Sequence, residues 1–194
     1  IKLTNPKILV KKNEINLSKV NLLLPIKSFF NSDFLLERAE IAFANNDIRD
    51  ISKVTKIFLP NIINKQLNKI FKSGKLNGEF VIPFEPNGSL AKNYVFTGKV
   101  IDAKVNFTKK IAITNFTSEI THNKDFDIDI FKLNVKKGFI FDLNLNDSEI
   151  NIKRGENSTN IKSTIKTKGN INSEKIKKIS SLLNFEINSF KNIN

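Results

Sequence analysis

The chain has 194 residues, enough for one domain with a hydrophobic core or for a segment of a larger protein. Lys and Arg number 32 against 19 acidic residues, giving a formal charge of +13, and the absence of Cys excludes disulfides and thiolate metal sites. Apolar runs stay far below the roughly 20 residues that span a bilayer, and no signal peptide is visible. Because the chain starts at Ile1 and contains no Met, we interpret 1–194 as one segment of a larger protein.

The positive charge would normally suggest nucleic acid or an anionic membrane surface. However, Arg occurs only at Arg38, Arg49 and Arg154, while Lys is accompanied by an excess of Asn, Ile and Phe. These four residue types share A/T-rich codons. We therefore attribute much of the charge to genome composition, with Lys at solvent-facing strand positions, and expect no nucleic-acid partner.

Residues 1–45 are predicted to form strands. Short apolar runs separated by polar residues place them at about 8–10, 15–17, 20–24 and 35–43.

Residues 46–73 are predicted to form a pair of helices. Asp47 is a candidate N-cap for the first, which Pro60 ends. The second, 61–73, is amphipathic, and Gly74 is placed to act as its C-terminal cap. We interpret the pair as a lid over one end of a sheet; the alternative is a membrane-surface helix with Lys on its polar face.

Residues 74–170 are predicted to form antiparallel strands, because apolar residues recur there with a period of two. Tyr94 and Phe96 have one phase, whereas Ile101, Ala103, Val105 and Phe107 have the other, which predicts either a bulge or a strand that crosses the edge of the fold. A final helix is predicted over 173–184. The expected fold is mainly β: a long, curved antiparallel sheet forming a groove, with a few short amphipathic helices.

Residues suited to catalysis are scarce. His122 is the only histidine and lies in the polar triplet Thr-His-Asn, which predicts a surface turn. Asp125, Asp127 and Asp129 resemble the start of a calcium loop, but Ile130 replaces the required Gly, and their spacing predicts one solvent-facing side of a strand. We expect no enzyme activity, catalytic residue, metal or cofactor.

Several segments together carry a family resemblance over about 30–170. These are the strand Asp-Phe-Leu-Leu-Glu-Arg-Ala-Glu-Ile at 33–41, the Phe-Leu-Pro break at 58–60, Phe-Lys-Ser-Gly at 71–74, Gly-Glu-Phe at 78–80 and the strand at 96–103. In this order they resemble the AsmA-like family, large periplasmic proteins of Gram-negative bacteria related to TamB and YhdP. That family is similar to the repeating β-groove lipid-transfer proteins.

The resemblance implies a periplasmic segment whose hydrophobic β-groove holds and conducts phospholipid between the inner and outer membranes, in support of outer-membrane biogenesis. Its expected partners are phospholipid acyl chains, and the parent protein would be anchored in the inner membrane by parts outside this chain. From the alternation, the residues expected to line the groove are Phe80, Ile82, Phe84, Ile111, Ile113, Ile128, Ile130, Phe139, Phe141, Leu143 and Leu145.

Two other functions stay open at this point. The chain could be a closed structural β-rich module of the periplasm or the cell surface, in which the helices or a second sheet cover the apolar face. It could also be a basic module that binds nucleic acid or an anionic glycan. Three helices of about a dozen residues are too few to cover ten or more strands, which favours the groove.

Overall fold

A computed structural model describes residues 1–10, 13–29, 35–55, 69–106, 111–141, 143–170 and 172–183. Twelve strands join in one antiparallel sheet that is open within this part of the chain, so the expected mainly β fold is confirmed. The strands are β1 (Lys2–Thr4), β2 (Lys7–Val10), β3 (Asn13–Leu23), β4 (Arg38–Asp47), β5 (Phe71–Pro83), β6 (Tyr94–Asn106), β7 (Ala112–Asp125), β8 (Ile128–Ile140), β9 (Leu143–Leu145), β10 (Ser148–Arg154), β11 (Thr159–Thr164) and β12 (Thr167–Lys168).

Besides the helical residues 69–70, three helical segments accompany the sheet in the described residues. They are a 3-10 helix (Ile26–Phe29), α1 (Ile48–Thr55) and α2 (Ser173–Leu183). The Asp47 carboxylate accepts a 2.9 Å hydrogen bond from the Arg49 N–H, which confirms Asp47 as the cap of α1. At α2 the cap is Asn172, whose side chain accepts from the Lys175 N–H at 2.9 Å. No helix among the described residues has the length and apolar content needed to cross a membrane.

The sheet has the order β1-β3-β4-β5-β6-β7-β8-β10-β11, and from β3 to β8 it is a meander in which strands adjacent in sequence pair with one another. β1 and β2 both pair with β3, on either side of Asn5. β9 and β10 both pair with β8, and β12 pairs with β9. The pairing of β9 with β12 is thus the longest-range one around the β10–β11 hairpin, and most other pairs join strands that follow one another closely in the chain.

The two faces of the sheet differ in polarity. We define the central row as nine residues that lie opposite one another on successive strands: Leu3, Val20, Ile41, Phe80, Phe96, His122, Phe131, Ile152 and Ile161. All except His122 are apolar. A neighbouring row on the opposite face contains Glu79, Thr97, Thr121, Lys132, Asn151 and Lys162. The one-sided alternation expected from the sequence is present across the sheet.

β-Bulges interrupt the pairing at similar heights in neighbouring strands. In β6 the register shifts between Val100 and Ala103, which confirms the predicted phase change. A residue with a positive φ lies within a register shift of each of the strands β4, β5, β6 and β7, and all four are Asn, Asp or Gly, which tolerate it best: Asn45, Gly74, Asp102 and Asn115. Because a bulge bends its strand and increases its twist, the aligned bulges bend the sheet along one line.

Side chains compensate for backbone hydrogen bonds that the bulges interrupt. The Asn46 carboxamide oxygen accepts from the Asn16 N–H at 2.8 Å, and its NH2 group donates to the Asn16 carbonyl at 2.7 Å. Asn77 and Thr117 accept from the N–H groups of Asn45 and Asp102 at 2.6 and 3.2 Å. The Ser148 hydroxyl accepts from the Lys166 N–H at 2.9 Å. The N–H groups of Asn16 and Lys166 therefore have partners at partly buried positions, while those of Asn45 and Asp102 are bonded at exposed ones.

The core lies along the bulges. A buried row crosses six strands, comprising Asn46, Leu76, Val100, Ser118, Val135 and Ser148. Ile48 and Ile51 of α1 are buried in the same cluster as Ile15 and Leu17 of β3. α1 therefore covers one end of the apolar face near β3, β4 and β5.

Several predicted boundaries were wrong. β5 begins at Phe71, so 71–73 are strand, while 69–70 are helical and 56–68 lie outside the described residues. Phe71 pairs with Val105, and this long-range pairing overrides the local helical pattern. Gly74 belongs to a bulge, with a φ of 132°. The separate strands predicted at 15–17 and 20–24 are the single bulged strand β3.

We predict that Gly74→Ala lowers the free energy of unfolding by about 2–4 kcal/mol, through backbone strain and overpacking. Its φ is 132°, and an added Cβ would lie 2.6 Å from the Cβ of Ala103. The matched control is Gly155→Ala, where the nearest atom, Ser158 Oγ, is 3.8 Å away and the expected change is within about 0.5 kcal/mol. Urea unfolding followed by circular dichroism measures both, and equal stability of the two variants would contradict the bulge geometry.

Candidate functional site

The central row remains partly exposed along its length. Its ends are open, since Leu3 is 48% and Ile161 63% exposed, and Phe80, Phe96 and Phe131 between them are only partly buried. Within the described part of the chain, α1 packs on the apolar face beside Ile15 and Leu17 of β3 and not on the central row. An extended, partly exposed apolar surface is typical of a binding site.

Aromatic rings connect five strands across this surface. We define the aromatic cluster as Phe43, Phe80, Phe96, Tyr94, His122 and Phe131. Phe80 lies 5.6 Å from Phe43, 4.6 Å from Phe96 and 6.1 Å from Tyr94, between ring centroids. His122 lies 5.2 Å from Tyr94 and stacks on Phe131 at 3.7 Å. Edge-to-face and stacked contacts of this kind fix the positions of the rings.

Two glycines determine where the Phe96 ring lies. Gly78 and Gly98 are opposite each other on β5 and β6, and a Cβ at either position would lie 2.6 Å from a ring carbon of Phe96. The ring therefore packs directly on glycine backbone. The two glycines lie between Phe43 and Ile120 in one row across the sheet, so the Phe96 ring and glycine backbone form an apolar floor there.

His122 lies in β7, not in the predicted surface turn. Its Nε2 is 3.0 Å from Asp129 Oδ1, and its Nδ1 is 3.5 Å from the Tyr94 hydroxyl. The network assigns the proton to Nε2, so that the ring donates to Asp129 and accepts from Tyr94. The period of two in this strand could have indicated the position. Ile120, His122 and Lys124 are two residues apart in β7, so their side chains lie on the same face of the sheet.

A polar rim borders the aromatic cluster at the end of four strands. It consists of Tyr94, Lys124, Asp129 and Arg154, which lie opposite one another in register. Lys124 Nζ is 3.6 Å from Asp129 Oδ2. The three aspartates do not share one solvent face as predicted: Asp125 ends β7, Asp127 lies in the exposed β7–β8 turn, and Asp129 faces His122.

Burial shifts the pKa values of His122 and Tyr94, which lie where the aromatic cluster meets the polar rim. Burial lowers the pKa of His122, and this outweighs the Asp129 carboxylate, which acts in the opposite direction. Burial also raises the pKa of Tyr94, assisted by the negative charge of Asp129. His122 is thus held as the neutral imidazole.

The opposite face has charged side chains that pair with one another. Glu40 accepts from Asn21 and from Lys19, both at 3.1 Å, and these hydrogen bonds lower the pKa of Glu40 to about 2. Glu119 is 3.3 Å from Lys136. This face therefore has the features of a solvated surface.

Three of the predicted groove residues lie at the exposed part of the apolar face or beside it. Phe80 is in the central row, Ile82 follows it on the same face of β5 opposite Ala39, and Phe84 directly follows β5. All three are partly exposed. Four others are buried in the covered part of the face and are not accessible to a ligand: Ile111, Ile113, Leu143 and Leu145.

The remaining four predicted residues are elsewhere. The buried phase of β8 is Phe131, Leu133 and Val135, so Ile128 and Ile130 lie on the opposite face. The strand predicted through 139–145 is a hairpin, since Ile140 pairs with Leu143. Phe141 lies in its turn with a φ of 50°. Phe139, opposite Thr114 and Asn144, lies on the other side from Leu143, because a bulge reverses the phase of β8.

Within the described ranges, no group of three or more His, Asp or Glu side chains could hold a metal ion. Comparisons with protein-family models, with curated proteins and with solved structures found no match to this chain. The functional argument therefore rests on the apolar face and its polar rim.

We predict that His122 makes folding stability dependent on pH. Its folded pKa lies below the ordinary value of 6.5, so the unfolded chain takes up the proton first as the pH falls. The stability that the neutral imidazole contributes is complete above pH 6.5, and it is lost progressively as the pH falls from there to the folded pKa of His122. Urea unfolding should show a larger loss of stability between about pH 7.5 and about pH 5.5 for the wild type than for His122→Gln. Identical losses in the two proteins would contradict this assignment.

Proposed function

We propose that this chain is a segment of a periplasmic AsmA-like protein whose apolar β-face holds and conducts phospholipid between the inner and outer membranes. The parent protein would be anchored in the inner membrane by parts outside this chain. The observation that supports this most directly is the central row, in which eight apolar residues and one histidine lie in register across the sheet.

Acyl chains suit this surface energetically. Burying each CH2 group contributes about 0.8 kcal/mol, and the partly exposed rings of Phe80, Phe96 and Phe131 would lose contact with water at the same time. The composition of the surface supports the same ligand, because the floor formed by Gly78, Gly98 and the Phe96 ring has no polar side chain. A narrow, flexible hydrocarbon fits such a floor without requiring specific hydrogen bonds.

Conduction, rather than storage of one lipid, is supported by the continuity of the row. Leu3 and Ile161 lie at opposite edges of the sheet and are both exposed, so the apolar path reaches the edges on both sides. Further strands added in register at these edges would extend it. A closed structural module would instead end the row under a cover, and the described residues contain no second sheet opposite it.

We predict that Ile82→Asp abolishes lipid binding and that Val81→Asp does not. The two residues are neighbours on β5 and both are partly exposed, but Ile82 lies on the apolar face opposite Ala39, whereas Val81 lies on the polar face opposite Glu40. A carboxylate on the apolar face would be desolvated by a bound chain at a cost of several kcal/mol. Native mass spectrometry of gently purified protein measures the fraction that carries phospholipid.

Circular dichroism at the same temperature shows whether each variant is folded. A folded Ile82→Asp protein that retains wild-type occupancy would refute the proposal, and so would equal losses in the two variants. If Ile82→Asp does not fold, Phe131→Ser and its polar-face neighbour Lys132→Ser provide the same comparison on β8.

The basic-module alternative predicts tight binding to polyanions, whereas we predict weak binding. Positive charge on the polar face is interspersed with acidic groups such as Glu79, Glu119 and Glu149, so it forms no uniform basic track there. Affinity for duplex DNA at physiological salt should therefore be weaker than about 1 μM, fall steeply with salt and show no sequence preference. Fluorescence anisotropy measures it, and nanomolar sequence-selective binding would overturn the interpretation of the charge.

A further inference from the structure

We propose that the polar rim binds the phosphate of a lipid headgroup while the acyl chain lies on the aromatic cluster. This inference rests on the proposed function and adds a polar subsite to it. The rim residues are Tyr94, Lys124, Asp129 and Arg154, and they lie on the same face of the sheet as the central row.

The spacing suits an amphiphile. Each rim residue is two positions along its strand from a central-row residue, for example Asp129 from Phe131 and Arg154 from Ile152. Two residues of an extended strand span about 7 Å. The apolar surface thus changes to charged groups within a distance comparable to that between the start of an acyl chain and its phosphate.

The charges on the rim favour an anion. Lys124 and Arg154 flank the single carboxylate of Asp129, and Lys124 already contacts it at 3.6 Å. Arg154 lies opposite Asp129 in register but forms no ion pair with any carboxylate among the described residues. Its exposed guanidinium can therefore donate two parallel hydrogen bonds to a phosphate, which is the geometry that Arg favours.

His122 acts as a positioning residue in this subsite. It holds the Asp129 carboxylate through Nε2 at 3.0 Å and is 3.5 Å from the Tyr94 hydroxyl through Nδ1. Its ring stacks on Phe131, so it is continuous with the apolar floor. Asp129 is thereby fixed between the imidazole and Lys124, which leaves the side of the rim at Arg154 to receive the anion.

The protein contains its own reporter for this subsite. Tyr94 is the only tyrosine and there is no tryptophan, so tyrosine fluorescence reports from the rim alone. The probes are dodecyl phosphate and dodecyl maltoside, which have the same chain and differ in the charge of the head, used below their micellar concentrations. Inorganic phosphate is the third probe and separates a free-anion site from a headgroup site.

We expect the wild type to bind dodecyl phosphate about tenfold more tightly than dodecyl maltoside, and inorganic phosphate far more weakly than either. Arg154→Gln should remove most of that preference without changing the affinity for the maltoside, and Arg154→Lys should restore part of it. The matched control is Lys153→Gln, which removes the same charge from the adjacent residue on the opposite face, and should change either affinity by less than about twofold.

The possible failures are distinguishable. If neither dodecyl probe binds, both the proposed function and this inference are wrong. If both bind equally well to the wild type, the apolar face remains a lipid site and the headgroup subsite is refuted. Inorganic phosphate binding as tightly as dodecyl phosphate, or equal losses in Arg154→Gln and Lys153→Gln, would also refute the subsite.

Discussion

Backbone hydrogen bonding at the line of bulges is the constraint on which the rest of the structure depends. A bulge leaves backbone groups without ladder partners, and an unpaired buried N–H costs about 1–3 kcal/mol. Here Asn46 and Ser148 supply acceptors from neighbouring strands at partly buried positions, and Asn77 and Thr117 supply them at exposed positions. The bulges occur side by side, so the alternation of inward and outward side chains shifts by one residue at the same place in successive strands. Apolar residues before and after the bulges therefore lie on the same face of the sheet.

The line of bulges divides this face into two parts with different accessibility. On one side, residues such as Val105 and Ile113 are buried. On the other side, Phe80, Phe96 and Phe131 are held by contacts between rings and with glycine backbone, and they stay partly exposed. The buried part of the face can supply the stability of the fold, and the partly exposed part is therefore available for a ligand.

The sequence predicted the fold class, the face polarity, the start of α2 and the phase change in β6, because each depends on local periodicity or capping. It failed where long-range pairing decides the outcome. Phe71 was assigned to a helix but pairs with Val105 in the sheet. In β8 both Ile130 and Phe131 are apolar, so periodicity alone could not decide which of them faces His122. The hairpin between Ile140 and Leu143 was missed because the apolar residue Phe141 occupies its turn.

His122 shows how this sheet accommodates a polar group within an apolar row. An imidazole placed there without partners would cost about 1–3 kcal/mol. Both ring nitrogens have polar neighbours on the rim, and the ring face packs on Phe131, so the penalty is offset on both sides of the ring. The same side chain therefore belongs to the apolar row through its face and to the polar rim through its edge. A boundary built in this way is fixed in position, because moving it along the strands would break both hydrogen bonds and the stack together.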